Sequence, residues 1–507
     1  MPENTESRDR GILSSPIIYL TVLILIVLLG VYLRFEGLGV RSLWRDELCT
    51  WHVSRMGLWE SLRWGPELTK PPLYQFALRL LTPDPHPSEF LLRFPAAICG
   101  VLTVLAGWWL GRLAGGRWVG LALAGLLTFN GLQIDYSQEC RPYSMLVLGS
   151  TLSTTLWYRL VVDERRVDFY AYIVTAVLTL HAHYLAALTI FGQVLWWLVT
   201  WRGGRAKRPA LRPLLALVAS GVFCIPIVLR YLYFRSSVFQ GLDWIRPPTW
   251  LSTLDVMKQL TFGWPWVFGL FAPLVVLWIM SAFGMPLRLP GRRGGRIFAG
   301  REDILGLLLL CWLSAWFGLL VISWVAHPAM VARYGLPAAA PALLIPLVIA
   351  CRWDRRGPLI IAVVFVIGAA PHWLIREHAP GFRELAAYLE KHVDPESEAA
   401  VLIIDNTVYP GWEDSERLGF QYYPMKGVPV EELRLNPDGL AAEDSILKDP
   451  RGLYLIALWA DPFLILEAAG RQAVPFQIDR LSYSRLLFAP YRLVRVAPLA
   501  LDRGTSP

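Results

Sequence analysis

Ser42-Leu43-Trp44-Arg45-Asp46-Glu47 follows a long apolar run and sets two adjacent carboxylates just beyond it. A carboxylate at such a boundary stays hydrated, where charge is cheap to keep and available for proton transfer. The alternative is that Asp46 only caps a helix starting near Glu47, a position that favours Asp. Neighbouring residues on a helix point about 100° apart, so Asp46 and Glu47 do not share one task. Glu47 could bind an acceptor, orient a neighbour, or be a solvated charge. Cations recur at comparable boundaries. Lys70 precedes Pro71-Pro72, which keep the chain out of regular helix, and an ammonium there suits a phosphate; otherwise it is a snorkelling interface lysine. Glu139 could orient Arg141, bind a metal or contact an acceptor, and Arg141 could grip a phosphate through two bonds. The alternative is a salt-bridged helix start. Asp135 shares that turn. His183 and Tyr184 fill another boundary turn, where plain interface residues are common. Arg333 and Tyr334 follow at a helix end, where Arg333 could hold a phosphate oxygen or anchor the preceding loop.

These residues need elements to position them. Of 507 residues, 55% are hydrophobic and 17% charged. An ordinary soluble domain has about 25% charged residues. Mean hydropathy is +0.43. Apolar runs of about 18 residues recur, the mark of a polytopic membrane protein. Spans are expected near 12–33, 89–112, 117–133, 143–161, 169–181, 184–201, 213–234, 264–287, 303–326, 336–351 and 357–374, about eleven in all. Backbone polar groups in lipid bond internally, so each should be a helix. The first run is too long for a signal-peptide core and lacks a small-residue cleavage site.

The net charge of +8 does not point to nucleic acid, because arginines gather in loops between apolar runs. Arg165 and Arg166, Arg202 to Arg212, Arg288 to Arg301, and Arg352 to Arg356 fall on one side if the spans alternate. That side is cytoplasmic by the positive-inside rule, with the N-terminus. The loop 34–88 is then outside, with interfacial helices expected at 44–56 and 72–81. After about residue 375 the pattern changes. Phe382–His392 has helical spacing, and Ala399–Ile404 and Leu453–Trp459 read as strands. Residues 1–375 form the membrane domain and 376–507 a small extracytoplasmic α/β domain.

Six motifs occur in order: S-L-W-R-D-E at 42–47, K-P-P-L-Y at 70–74, S-E-F-L-L-R-F-P at 88–95, Y-S-Q-E-C-R-P-Y at 136–143, H-Y at 183–184 and R-Y-G-L-P-A at 333–338. Together they resemble the bacterial GT-C glycosyltransferases of family 39, related to protein O-mannosyltransferases and lipid A aminoarabinose transferases. The resemblance covers roughly residues 12–375. It implies an all-α GT-C bundle in the bacterial plasma (inner) membrane, with the first outer loop roofing a cavity. It implies a polyprenyl-phosphate sugar donor, membrane lipids as surroundings, an acceptor among lipids, glycans or proteins, and inversion at the anomeric carbon. Asp46 matches the family's acidic position, which implies that it is the general base, with Glu47 and Glu139 as further catalytic candidates. Lys70, Tyr74, Asp135, Arg141, His183, Tyr184, Arg333 and Tyr334 are the substrate-binding candidates.

A polyprenyl phosphate leaves without a proton, so its departure needs positive charge, from cations or a metal. Asp46, Glu47, Asp135 and Glu139 could build an oxygen site for Mg or Mn. No D-x-D spacing occurs in the first loop, and metal-independent action is the favoured reading. The six cysteines show no C-x-x-C spacing, which argues against structural zinc. Cys49 and Cys140 stand where the family has small residues; a disulfide between them and two buried free thiols are both open. A transporter or flippase competes with the enzyme reading, but its charges belong near mid-membrane, whereas here they sit at span ends. A silent scaffold using its C-terminal domain is the third reading.

Overall fold

The computed structural model describes residues 15–63, 70–201, 211–240, 245–260, 271–282, 303–354, 356–374, 382–396, 398–405, 413–425, 427–428, 430–435, 452–457 and 492–496. Each of the eleven apolar runs contains a helix: Pro16–Phe35, Glu89–Gly115, Arg117–Phe129, Tyr143–Val162, Arg166–Ala182, Ala186–Trp201, Leu211–Gln240, Phe271–Ala282, Ile304–Val325, Ala339–Trp353 and Gly357–Leu374. Among the described residues six helical stretches are long and apolar enough to cross a bilayer, the last as Ala332–Trp353 with the turns that precede it. Arg117–Phe129, Ala186–Thr200 and Gly357–Ile367 are shorter apolar helices. The loop residues Arg202, Arg205, Lys207, Arg208, Arg288, Arg292, Arg293, Arg296, Arg301 and Arg355 lie outside the described residues.

The chain is a multi-pass membrane protein. Pro16–Phe35 is only 11% buried and Leu211–Arg235 only 22% over its most apolar window, although both are almost wholly apolar. Leu20, Ile24, Leu28, Val218, Phe223 and Leu229 are all exposed. In water each such side chain would cost about 1.5–3 kcal/mol; in lipid it costs nothing. The inner helices are different. Ile304–Val325 and Ala332–Trp353 are 72% and 78% buried and pack with Arg117–Phe129 into one core. Glu89–Gly115 turns sharply into Arg117–Phe129 at Gly116, whose φ of +85° suits glycine. The two helices then run so close that a Cβ on Gly111 would stand 2.8 Å from the Val119 carbonyl oxygen. Small residues of this kind let membrane helices meet backbone to backbone.

The loop between the first two long spans carries helices Arg45–Arg55 and Leu73–Leu81, where the interfacial helices were expected. The C-terminal part begins with the helix Phe382–His392. Strands β1 (Glu398–Asp405), β2 (Val430–Leu435), β3 (Gly452–Ala457) and β4 (Arg492–Val496) form one sheet in the order β2-β1-β3-β4. β1 runs parallel to β2 and β3, with Ala400 opposite Val430 and Tyr454, and β4 is antiparallel to β3. Leu385 and Leu389 cover Ala400, Leu402 and Tyr454. Phe382 and Leu418 face the other way, into a cluster with Leu43, Leu48, Trp51 and Tyr74 of the loop. Cys49 and Cys140 sit buried in that cluster, and the disulfide left open from the sequence is not formed.

Candidate active site

Arg45–Arg55 starts after extended residues, with Trp44 at φ −94° and ψ 170° as its N-cap. The capping contact comes from Glu47, whose Oε2 accepts the Trp44 N–H at 3.3 Å. Asp46 lies one residue inside the helix rather than at the cap, and its side chain projects elsewhere. Its Oδ2 is 3.4 Å from Arg141 Nη2 and 3.6 Å from Arg333 Nη1, with 18% of the carboxylate side chain exposed. Glu47 is the opposite case, fully buried, with Arg93 Nε and the Cys140 N–H donating to Oε1 and Arg93 Nη2 to Oε2, each at 2.7 Å. It is not a solvated charge. To act as a base it would have to give up Arg93, so its geometry is that of a positioning residue. Arg93 also donates to the Leu38, Arg41 and Ser42 carbonyls and so fixes the strand of loop leading to Asp46.

Arg141 is buried and donates through Nη1 to the Asp46 carbonyl and to Thr50 Oγ1, both at 2.6 Å. Arg333, in the turn Ala332–Gly335, has its guanidinium over the rings of Tyr334 at 5.6 Å and Tyr143 at 5.9 Å. The His183 ring stands between the same two tyrosines, 5.5 Å from Tyr143 and 6.0 Å from Tyr334. His183 Nδ1 accepts the Leu185 N–H, which assigns the ring proton to Nε2. Burial, then Arg141 and Arg333, push His183 down to about 3. It is therefore a neutral N–H donor at physiological pH, and among the described residues Nε2 and the Tyr143 hydroxyl have no partner.

Glu139 precedes Arg141 in the same turn. Burial first and the Glu47 carboxylate second push its carboxyl up to about 8, against the pull of Arg41 and Arg333. It is mostly protonated at neutral pH. Asp46, Glu47, Arg93, Arg141 and Arg333 thus place three cations beside two anions, and Glu139 does not restore the balance. That arrangement suits an anion entering near Asp46.

Lys70 and Tyr184 meet at a residue whose role the sequence reading did not assign. Arg230, in the apolar helix Leu211–Gln240, donates to the Lys70 carbonyl at 2.9 Å, the Tyr184 hydroxyl at 3.0 Å and the Leu62 carbonyl at 3.1 Å. Its signal was a lone charge inside a run of apolar residues. Lys70 is buried rather than snorkelling. Tyr74 is buried in the apolar cluster with Cys140, and burial raises its hydroxyl pKa. Asp135 is exposed beside Arg41 and Glu139. Arg93 and Tyr143 lay inside quoted motifs but had no role. Among the described residues no three His, Cys, Asp or Glu side chains converge as a metal site.

Residues 69–231 match a family model described as dolichyl-phosphate-mannose-protein mannosyltransferase. The match starts one residue before Lys70 and ends one after Arg230, so it includes Glu139, Arg141, His183 and Tyr184 and leaves out Asp46 and Arg333. Among solved structures, ArnT from Cupriavidus metallidurans bound to undecaprenyl phosphate superposes with a TM-score of 0.53 at 13% identity, over 96% of this chain and 99% of that one. The chain has the GT-C fold. The apo state of that ArnT gives 0.49 at 15% identity, over 94% and 98% of the two chains. The Archaeoglobus fulgidus oligosaccharyltransferase in its apo form gives 0.48 at 11%, over 80% and 64%. Comparison with curated proteins finds no sequence match. In this chain Asp46 lies in the loop after the first helix, where Arg141 and Arg333 approach its carboxylate.

Proposed function

We propose that this protein is an inverting membrane glycosyltransferase that moves a sugar from a polyprenyl phosphate to an acceptor hydroxyl. The observation that carries the reading is Asp46, partly exposed and facing two buried guanidiniums at 3.4 and 3.6 Å. Those distances are beyond close hydrogen bonding. A donor phosphate can therefore draw Arg141 and Arg333 toward itself and release Asp46 as the base. The acceptor oxygen attacks the anomeric carbon, its proton passes to Asp46, and the carbon–oxygen bond to phosphate breaks. The electron pair leaves with the polyprenyl phosphate, whose growing charge the arginines stabilise. Lys70 and Arg230 add positive charge on the donor side. In this reading arginines, rather than Mg or Mn, neutralise the phosphate. The similarity to ArnT in complex with undecaprenyl phosphate supports this donor class.

The same reading sets Asp46 and the C-terminal α/β domain, residues 376–507, on the outer face of a bacterial inner membrane. Residues 1–375 form the catalytic bundle, with the N-terminus in the cytoplasm. Arg165, Arg166, Arg352 and Arg356 at the far ends of the bundle support that orientation.

The test is sugar transfer in membranes carrying wild type or Asp46→Asn at equal expression, with radiolabelled polyprenyl-phosphate sugars. Wild type should form labelled product, and the variant should lose on the order of 10²–10⁴ in rate, the usual share of a general base. A variant equal to wild type would remove Asp46 from the chemistry.

A further inference from the structure

The bundle has a second feature, on its outer wall and far from Asp46. Glu89–Gly115 begins at the Asp46 side, where Arg93 holds Glu47. Arg112 lies nineteen residues further on. At 1.5 Å per residue that is about 28 Å, close to the whole hydrocarbon thickness. Beside the second half of this helix runs a groove of about 760 Å³, between it and Tyr143–Val162. Leu105, Leu113, Leu148 and Leu152 line it, and Trp109 and Arg112 stand at one end. Leu102, at the other end, is 43% exposed, so the groove opens sideways to lipid. From Leu102 to Arg112 is about 15 Å of helix, the depth of one leaflet.

Two arginines stack on the tryptophans of this groove, and they differ. Arg159 lies over Trp109 at 5.2 Å and is paired with Asp168 at 3.0 Å. Arg112 lies over Trp108 at 5.6 Å, is exposed, and has no described carboxylate within ion-pairing distance. An uncompensated guanidinium at the interface end of an apolar, one-leaflet slot has the chemistry of a lipid site: a chain for the leucines and an anion for the arginine.

We propose that this groove binds one anionic phospholipid, with an acyl chain along the leucines and the headgroup phosphate on Arg112. The leaflet is the one opposite Asp46. A polyprenyl chain, far longer than one leaflet is deep, does not match the slot.

Native mass spectrometry of the full chain in mild detergent tests this, with phosphatidylglycerol, phosphatidylcholine of the same acyl chains, and undecaprenyl phosphate as probes. Wild type should retain phosphatidylglycerol about fivefold better than phosphatidylcholine, the effect of one arginine at an anionic surface. Arg112→Gln should lose that preference, and Leu148→Trp, which fills the slot, should lower retention of phosphatidylglycerol. Thermal unfolding of both variants checks that they fold. Equal retention of the two phospholipids by wild type would overturn the proposal. So would a preference untouched in a folded Arg112→Gln, or undecaprenyl phosphate displacing phosphatidylglycerol in wild type but not in Leu148→Trp.

Discussion

Glu47 and Arg93 are joined by two bonds of 2.7 Å, both side chains buried, across 46 residues of sequence. Because adjacent helical residues point about 100° apart, locking Glu47 inward sets the direction in which Asp46 projects. Removing one partner of a buried pair leaves an uncompensated charge and costs about 3–5 kcal/mol. Glu47→Gln and Arg93→Ala should each lower the thermal unfolding temperature by several degrees, and the double variant should cost much less than their sum. Sugar transfer should fall in step with the misplaced loop. A Glu47→Gln protein with wild-type stability and no transfer would instead give Glu47 a direct part in the chemistry.

Tyr423 ties the C-terminal domain to the same loop. Its hydroxyl accepts the Leu43 N–H at 2.8 Å and donates to Glu89 Oε1 at 3.0 Å. Leu43 is buried, so Tyr423→Phe strands its N–H, at about 1–3 kcal/mol. We expect kcat to fall while KM for the donor changes little. Tyr422→Phe, which loses a contact to the Pro87 carbonyl, should matter less for kcat, because that contact does not hold the segment leading into Asp46.

Glu139 makes stability depend on pH. Its folded pKa, about 8, lies above the ordinary 4.5, so between these values the folded state holds a proton that the unfolded chain has released. The contribution to stability is complete below about pH 4.5, declines as pH rises, and is gone above about 8. Unfolding of wild type and Glu139→Gln, measured from pH 5 to 9, should show the variant gaining on wild type across the interval and a constant difference above it. Parallel curves would place the Glu139 pKa at its ordinary value.

Arg230→Leu should loosen the junction of Lys70, Tyr184 and the first loop. Hydrogen bonds from a charged donor are worth about 1.5–3 kcal/mol each. Losing the contacts to Lys70 and Tyr184 should raise KM for a polyprenyl-phosphate donor about tenfold or more. Transfer at saturating donor should stay closer to wild type, because Asp46, Arg141 and Arg333 do not touch Arg230.

Much of the bundle is legible from local pattern. Long apolar runs must be helices in lipid, and all eleven contain one. The motif residues sit at the ends of those runs or in the loop between the first two, and with the family resemblance that nominates Asp46, Lys70, Arg141, His183 and Arg333. Pattern reading was less informative where a side chain has a distant partner. In sequence Glu47 reads as an acceptor contact or a solvated charge and Lys70 as a phosphate contact or a snorkelling lysine, yet both side chains are buried. Arg230 is one charge in an apolar run, with nothing nearby to announce that it reaches Tyr184.

By itself, the sequence determined a membrane bundle with its charged motifs at one boundary, because hydrophobic length and helical hydrogen bonding act within a segment. Only the tertiary structure decided which of two adjacent carboxylates faces the arginines. That choice depends on Arg93 and the Cys140 N–H meeting Glu47 from two other segments. It likewise decided that Leu43, next but two to Asp46, is held by Tyr423 across 380 residues. Such contacts follow from how the helices and the C-terminal sheet pack, and no local periodicity encodes them.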